Sequence, residues 1–204
     1  DQGIRHIGVC DKSNTLVIVY ENANIDLIRS DGEVVNITDF VNEISLDPQI
    51  NDLRIMNGMA YLATNFGVSI LDVEREEFGN TYTLDKVTYS SIGLNAFIYV
   101  ATEKGLYRGD IHNNLLDAAT WIFLDKEVYA NLEVFEKSLI ALKAKGSAYI
   151  INLTDSSPEF FCKGPINFIH RADGRLIVGN QTNVSVYTTP TTWEEHDFDT
   201  PVTY

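Results

Sequence analysis

Short apolar runs alternate with polar breaks along the whole chain, and the breaks carry Gly, Asn or Asp. The stretch Ile98–Tyr107 is typical: an apolar run, a polar turn holding Gly105, then the start of a second run. Runs this short, rich in β-branched and aromatic residues and bounded by turn formers, predict strands. The same unit recurs as Thr15–Tyr20 with Ile25–Ile28, Ala60–Thr64 with Val68–Leu71, Leu139–Leu142 with Ser147–Ile151, and Leu176–Gly179 with Val184–Tyr187. The turns anchor on Asn24, Gly67, Gly105, Gly146 and Asn183, which lie 43, 38, 41 and 37 residues apart. Gly and Asn are the residues that most readily take positive φ in a tight hairpin, so a left-handed turn is expected at each anchor.

Each unit has room for two more strands. Ahead of the anchor pair lie Ile4–Cys10, Ile50–Met56, Val87–Ile92, Leu132–Phe135 and Ile166–Ile169. After it lie Val34–Phe40, Thr81–Leu84, Trp121–Leu124, Phe160–Cys162 and Trp193–Phe198. Four antiparallel strands in a repeat of about 40 residues describe a β-propeller blade. The fold class is therefore all-β, a propeller of four-stranded antiparallel blades with five blades present, at approximately 1–42, 43–85, 86–126, 127–163 and 164–204. Blade faces are expected to pack through the Val, Ile, Leu and Tyr of the second and third strands. Residues 110–120 predict one short helical turn in the loop between the last two strands of the third blade. No linker divides the chain, so it reads as a single domain.

Thr200–Tyr204 reads as the start of another inner strand, and the chain opens without Met. A propeller usually closes by pairing its terminal strands within one blade. The expectation is an arc of a larger ring, with a closed five-bladed ring as the alternative.

Asn14–Ile28 (Asn-Thr-Leu-Val-Ile-Val-Tyr-Glu-Asn-Ala-Asn-Ile-Asp-Leu-Ile) closely resembles the N-terminal β-propeller of the PorZ-like family, exported proteins of the type IX (Por) secretion system. Tyr61–Asp72 and Ile98–Tyr107 resemble the wider two-component regulator propeller repeat, in which a Thr-x-x-Gly-Leu turn recurs. The resemblance implies a seven-bladed ring of which this is an arc, a blade preceding Asp1, and a second propeller and a small β domain further on. It implies no catalytic residues. Lys143–Ser147 and Asn180–Val184 replace the Thr-x-x-Gly-Leu turn in the last two blades.

Charge narrows the partners. Fifteen Lys and Arg against 29 Asp and Glu give a net charge of −14 over 204 residues. That balance argues against nucleic acid and against anionic lipid, which both need clustered cations. No apolar run approaches the ~18 residues of a membrane span. Cys10 and Cys162 read as two free thiols rather than a bridge, and do not reveal the compartment. Of the four histidines, His6, His112, His170 and His196, only His6 and His170 fall on predicted inner strands, where channel contact is conceivable; no pair has metal-ligand spacing. Glu194-Glu195-His196-Asp197 alternates its carboxylates across two faces and reads as a solvated outer strand. Asp72-Val-Glu74 and Glu76-Glu77 read as a solvated acidic turn. The Asn-x-Thr tripeptides at Asn36, Asn152 and Asn180 read as turn and strand residues. Phe66, Tyr107, Tyr129 and Trp193 sit near strand ends and are expected in blade packing.

No catalytic, cofactor-binding or metal site is expected, and the binding residues are not legible. The expected function is a noncatalytic protein-interaction or scaffold module of an exported cell-envelope protein associated with type IX secretion. Its expected partners are other envelope or secretion-system proteins, with a glycan as a further candidate. The alternative is the periplasmic ligand-sensing propeller of a hybrid two-component sensor kinase recognising glycan fragments. An enzyme would need a carboxylate pair or a His/metal set converging on the channel mouth.

Overall fold

The computed structural model describes residues 3–38, 49–144 and 146–198. The strands form five separate four-stranded antiparallel sheets, each ordered as its strands follow in sequence. The first sheet holds β1 (Ile4–Cys10), β2 (Thr15–Tyr20), β3 (Ile25–Ile28) and β4 (Val34–Ile37). The second holds β5 (Ile50–Met56), β6 (Met59–Thr64), β7 (Gly67–Asp72) and β8 (Glu77–Thr83). The third holds β9 (Thr88–Leu94), β10 (Phe97–Thr102), β11 (Gly105–Asp110) and β12 (Ile122–Asp125). The fourth holds β13 (Tyr129–Phe135), β14 (Ser138–Lys143), β15 (Ala148–Ile151) and β16 (Pro158–Cys162). The fifth holds β17 (Phe168–Ala172), β18 (Arg175–Gly179), β19 (Asn183–Thr189) and β20 (Thr192–Asp197). The sheets are the five blades of a β-propeller, with β1, β5, β9, β13 and β17 innermost.

The blades hold together face to face. Val17, Val19, Ile25 and Leu27 of blade one pack on Ile50, Ala60, Leu62 and Leu71 of blade two. Val68 and Tyr82 of blade two meet Ile98, Val100 and Trp121 of blade three. Tyr99 and Leu106 then meet Leu132 and Leu139, and Ile140 and Leu142 meet Leu176 and Val178. Most of these side chains come from second and third strands, as the apolar pattern predicts. Every one of the four clusters joins consecutive blades; among the described residues no such cluster joins the fifth blade to the first.

The short helical turn lies at Ala118–Thr120, where the Asp117 side chain accepts a hydrogen bond from the Ala119 backbone N–H. Two expectations need correction. The inner strand of blade five starts at Phe168, not at Ile166. Ile166 is buried between blades four and five, and its N–H bonds to the Gly146 carbonyl. Positive φ is found at the anchors Gly67 and Gly105, but at Ala23 instead of Asn24, and not at Gly146 or Asn183. The need for glycine at the two anchors is proximity. A Cβ at Gly67 would lie 2.1 Å from the Tyr82 carbonyl oxygen, and one at Gly105 2.2 Å from that of Asp125. The left-handed hairpin pairs sit one turn earlier, at Asn57-Gly58 and Asp173-Gly174. The extension of β4 to Phe40, the first blade boundary and the strand start at 200–204 lie outside the described residues.

Candidate functional site

The inner strands bring together charged side chains that sequence reasoning did not single out. Arg54 and Asp52 stand on β5 and Glu133 on β13, all buried. Arg54 Nε donates to Asp52 Oδ2 at 2.9 Å, and Arg54 Nη1 donates to Glu133 Oε2 at 3.0 Å and to the Ile169 carbonyl of β17 at 3.1 Å. Ser90 of β9 donates to Asp52 Oδ2 and accepts from the Leu132 N–H. Glu133 also accepts from the backbone N–H of Val134 and of Arg171. One hydrogen-bonded set thus ties blades two, three, four and five across the axis. Burial works against the charge on Arg54, but Asp52 and Glu133 overcome it and raise its pKa above the ordinary guanidinium value.

His6 joins from β1, donating through Nε2 to the Ile50 carbonyl at 3.2 Å. That bond places the proton on Nε2, with Nδ1 left as the acceptor. Burial lowers its pKa, opposed by nearby Asp52, so the ring is neutral at pH 7. Two cavities border the Arg54 network. One of about 670 Å³ is walled by Ile7, Val9 and Ile55. One of about 700 Å³ is walled by Arg5, His6, Asn131 and Phe168. Arg54 lines both.

The network does bring two carboxylates to the channel. A single arginine lies between them, and their oxygens also accept from Ser90 and from backbone N–H groups. A glycosidase-type pair needs one carboxyl poised as acid and the other facing water or sugar. Here both are spent on holding Arg54. The signal was present in the alternation Asp52-Leu-Arg54-Ile and in Glu133 between Leu132 and Val134. Charged residues inside apolar inner strands have to be paired.

His170 is exposed on β17 and lines both cavities beside Arg54, the second together with His6. The other candidates fall apart in space. His112 and His196 are exposed on blades three and five. Glu194 to Asp197 lie on the exposed β20, as expected, with Asn183 donating to Glu195 Oε1 at 3.0 Å. In the acidic turn after β7, Glu74 and Glu77 are exposed as the solvated reading expects, whereas Asp72 and Glu76 are half-buried. Glu74 pairs with Lys12, and both oxygens of Glu76 accept from Arg29, linking blades one and two. The Arg29 hydrogen bond lowers the Glu76 pKa. Asn152 and Asn180 accept local backbone N–H bonds in turns, while Asn36 donates to Asp26. Phe66 and Tyr129 are core residues, and Tyr129 donates to Asp125 Oδ2 at 2.7 Å. Tyr107 is half-buried against Phe123. Trp193 is 53% exposed. Cys10 and Cys162 are both free thiols, the second held above the usual thiol pKa by burial.

Similarity to solved structures bears out the architecture. PorZ of Porphyromonas gingivalis, described as an essential bacterial surface component of the type-IX secretion system, superposes with a TM-score of 0.83 at 24% identity. That match covers 96% of this chain but 27% of that one, so the chain spans about a quarter of PorZ's length. The WD40 repeats of RRP9 superpose at a TM-score of 0.67 and 10% identity over 92% of this chain and 60% of that one, which shows the shared propeller fold alone. No curated protein matches the sequence. Residues 1–122 match the family described as the type IX secretion system PorZ N-terminal β-propeller domain. The chain belongs to the PorZ N-terminal β-propeller family.

Proposed function

We propose that this propeller is a noncatalytic protein-interaction or scaffold module of an exported cell-surface protein that works with the type IX secretion machinery. The observation that carries the reading is the family membership of residues 1–122. The channel chemistry supports it, because the two axial carboxylates are consumed in holding Arg54 rather than presented to a substrate. The partners are other envelope or secretion-system proteins. The test is affinity capture from an envelope extract of a type IX-secreting bacterium, with an unrelated propeller as control. Specific capture of secretion-system components is expected; capture no different from the control overturns the reading.

The five blades are, in this reading, an arc of a seven-bladed ring. Support comes from the face of blade one turned away from blade two. There Val9, Leu16, Ile28 and Val34 form one cross-strand row, with Ile7 and Ile18 in the next. Ile7, Val9 and Val34 are more than half exposed. An apolar sheet face of this kind is what another blade covers. Intact mass and N-terminal sequencing of the native protein test it. A chain continuing through two more blades is expected, and a native chain confined to these residues overturns it.

A further inference from the structure

The wedge between blades four and five differs from the others at its outer end. Between blades two and three, Tyr82 and Trp121 form an edge-on pair, and Trp121 Nε1 donates to the Leu115 carbonyl of the loop that closes the wedge. Both rings are buried. Between blades four and five the bridging pair is Phe161 and Tyr187; Tyr187 is buried, and Trp193, its cross-strand neighbour in blade five, is 53% exposed. Phe161 of β16 and Tyr187 of β19 have ring centroids 4.8 Å apart, and Tyr187 stacks on Trp193 of β20 at 5.6 Å. The three rings line a cavity of about 460 Å³, with Pro165 and Pro190 also in its walls.

The polar groups of this wedge are unevenly committed. The Asn180 amide donates to the Pro165 carbonyl and accepts from two backbone N–H groups, and Asn183 holds Glu195. The Trp193 indole N–H has no acceptor among the described residues, and Lys163 also lines the cavity. The ligand that suits such a site has an apolar ridge and carbonyls in need of donors. A polyproline II segment has both, since its backbone makes no internal hydrogen bonds. Trp193, 53% exposed, offers the ring face for that ridge, backed by the buried Tyr187 and the half-buried Phe161. Recognition of such segments by aromatic-lined grooves is general. Glu195 lines the cavity and Asp197 follows it on the same strand face, which complements a cationic residue flanking the prolines.

We propose that the Phe161–Tyr187–Trp193 wedge binds a proline-rich, polyproline II-forming segment of a partner protein that carries a flanking basic residue. This deepens the interaction-module reading and rests on it. The probe is a fluorescein-labelled synthetic peptide with two Pro-x-x-Pro repeats and a terminal arginine pair, titrated by anisotropy into the protein. A midpoint below about 1 mM, the weak end of specific recognition, is expected. Trp193→Ala is expected to weaken binding at least tenfold, and Glu195→Gln about threefold with a reduced salt dependence. Urea unfolding checks that each variant is folded before its binding is read. No saturable binding, or equal binding by Trp193→Ala, overturns the proposal. So does cellohexaose binding in the peptide's place, which would make the wedge a carbohydrate site. Repeating the affinity capture with Trp193→Ala separates the two readings. Partners captured equally by the variant leave the interaction module standing and remove the wedge from it. Partners captured by neither form remove the module itself.

Discussion

Arg54 is the residue on which the axis depends, and its surroundings set the cost of losing it. Three formal charges are buried there, and the arginine is the only cation among them. Replacing it with Met leaves Asp52 and Glu133 facing each other without compensation, and breaking a buried pair from one side costs about 3–5 kcal/mol. Arg54→Met is expected to lower the urea midpoint accordingly, whereas Glu133→Gln keeps the Asp52 partner and costs less. Equal, small losses would show that the network does not bear on stability. His6 gives the axis a pH response. Its folded pKa lies below the unfolded value of ~6.5, because burial disfavours the imidazolium. The unfolded chain therefore binds the extra proton first as pH falls. Stability from this site is full above ~6.5 and drains away as pH drops toward the folded pKa. Asp52, Arg5 and Arg54 face the ring and contribute to the balance. Denaturation series at pH 7.5 and pH 5 should differ less for His6→Asn than for the parent; an unchanged difference assigns the acid sensitivity elsewhere. Sequence reasoning placed His6 and His170 on inner strands correctly but passed over Arg54. Pairing between positions 54 and 133 depends on which blades meet across the axis, and periodicity within a blade carries no such information.

At the scale of single strands and turns the apolar pattern was nearly sufficient. β1, β2, β3 and β5 follow it residue for residue, and most others differ by one to four positions at an end. β8 starts four residues earlier than the apolar run Thr81–Leu84, because Glu77 and Phe78 pair with Asp72 and Leu71 although one of them is charged. Backbone pairing continues where hydrophobicity stops, and pattern reading ends too soon. The glycine anchors show the converse: the residue was identified and its reason was not. Gly105 is required because the backbone of the fourth strand passes 2.2 Å from where its Cβ would stand. Gly32 also has positive φ, at 87°, yet nothing lies within 4 Å of its Cβ position. Gly32→Ala is thus expected to cost only the left-handed strain, about 1 kcal/mol. Gly105→Ala adds a backbone clash that no side chain can relieve and is expected to cost more than twice as much. Paired thermal melts read the difference, and equal shifts would mean that β12 gives way freely.

At the scale of the whole molecule, what matters is the face of blade one opposite blade two. Five repeats were legible because each blade repeats one local pattern, but ring closure is set by how far each blade turns relative to the last. That angle is distributed over packing contacts such as Val17 on Leu62 and Leu142 on Leu176, and no local signal encodes it. Val9 distinguishes the two architectures. It is 53% exposed here and stands in the row with Leu16, Ile28 and Val34. If a further blade covers this row in the native protein, Val9→Asp buries an unpaired carboxylate, and its lost hydration has nothing to replace it. The native full-length protein should then lose several kcal/mol, about the size of other buried-charge substitutions. If no further blade covers it and the row faces water as it does here, the same change is a surface substitution and stays within about 0.5 kcal/mol. Val34→Asp, on the outer strand of the same row, should follow Val9→Asp in either case. A large loss for both in urea unfolding of the native protein supports the seven-bladed ring; a negligible loss for both contradicts it, because no covered blade face tolerates two new carboxylates.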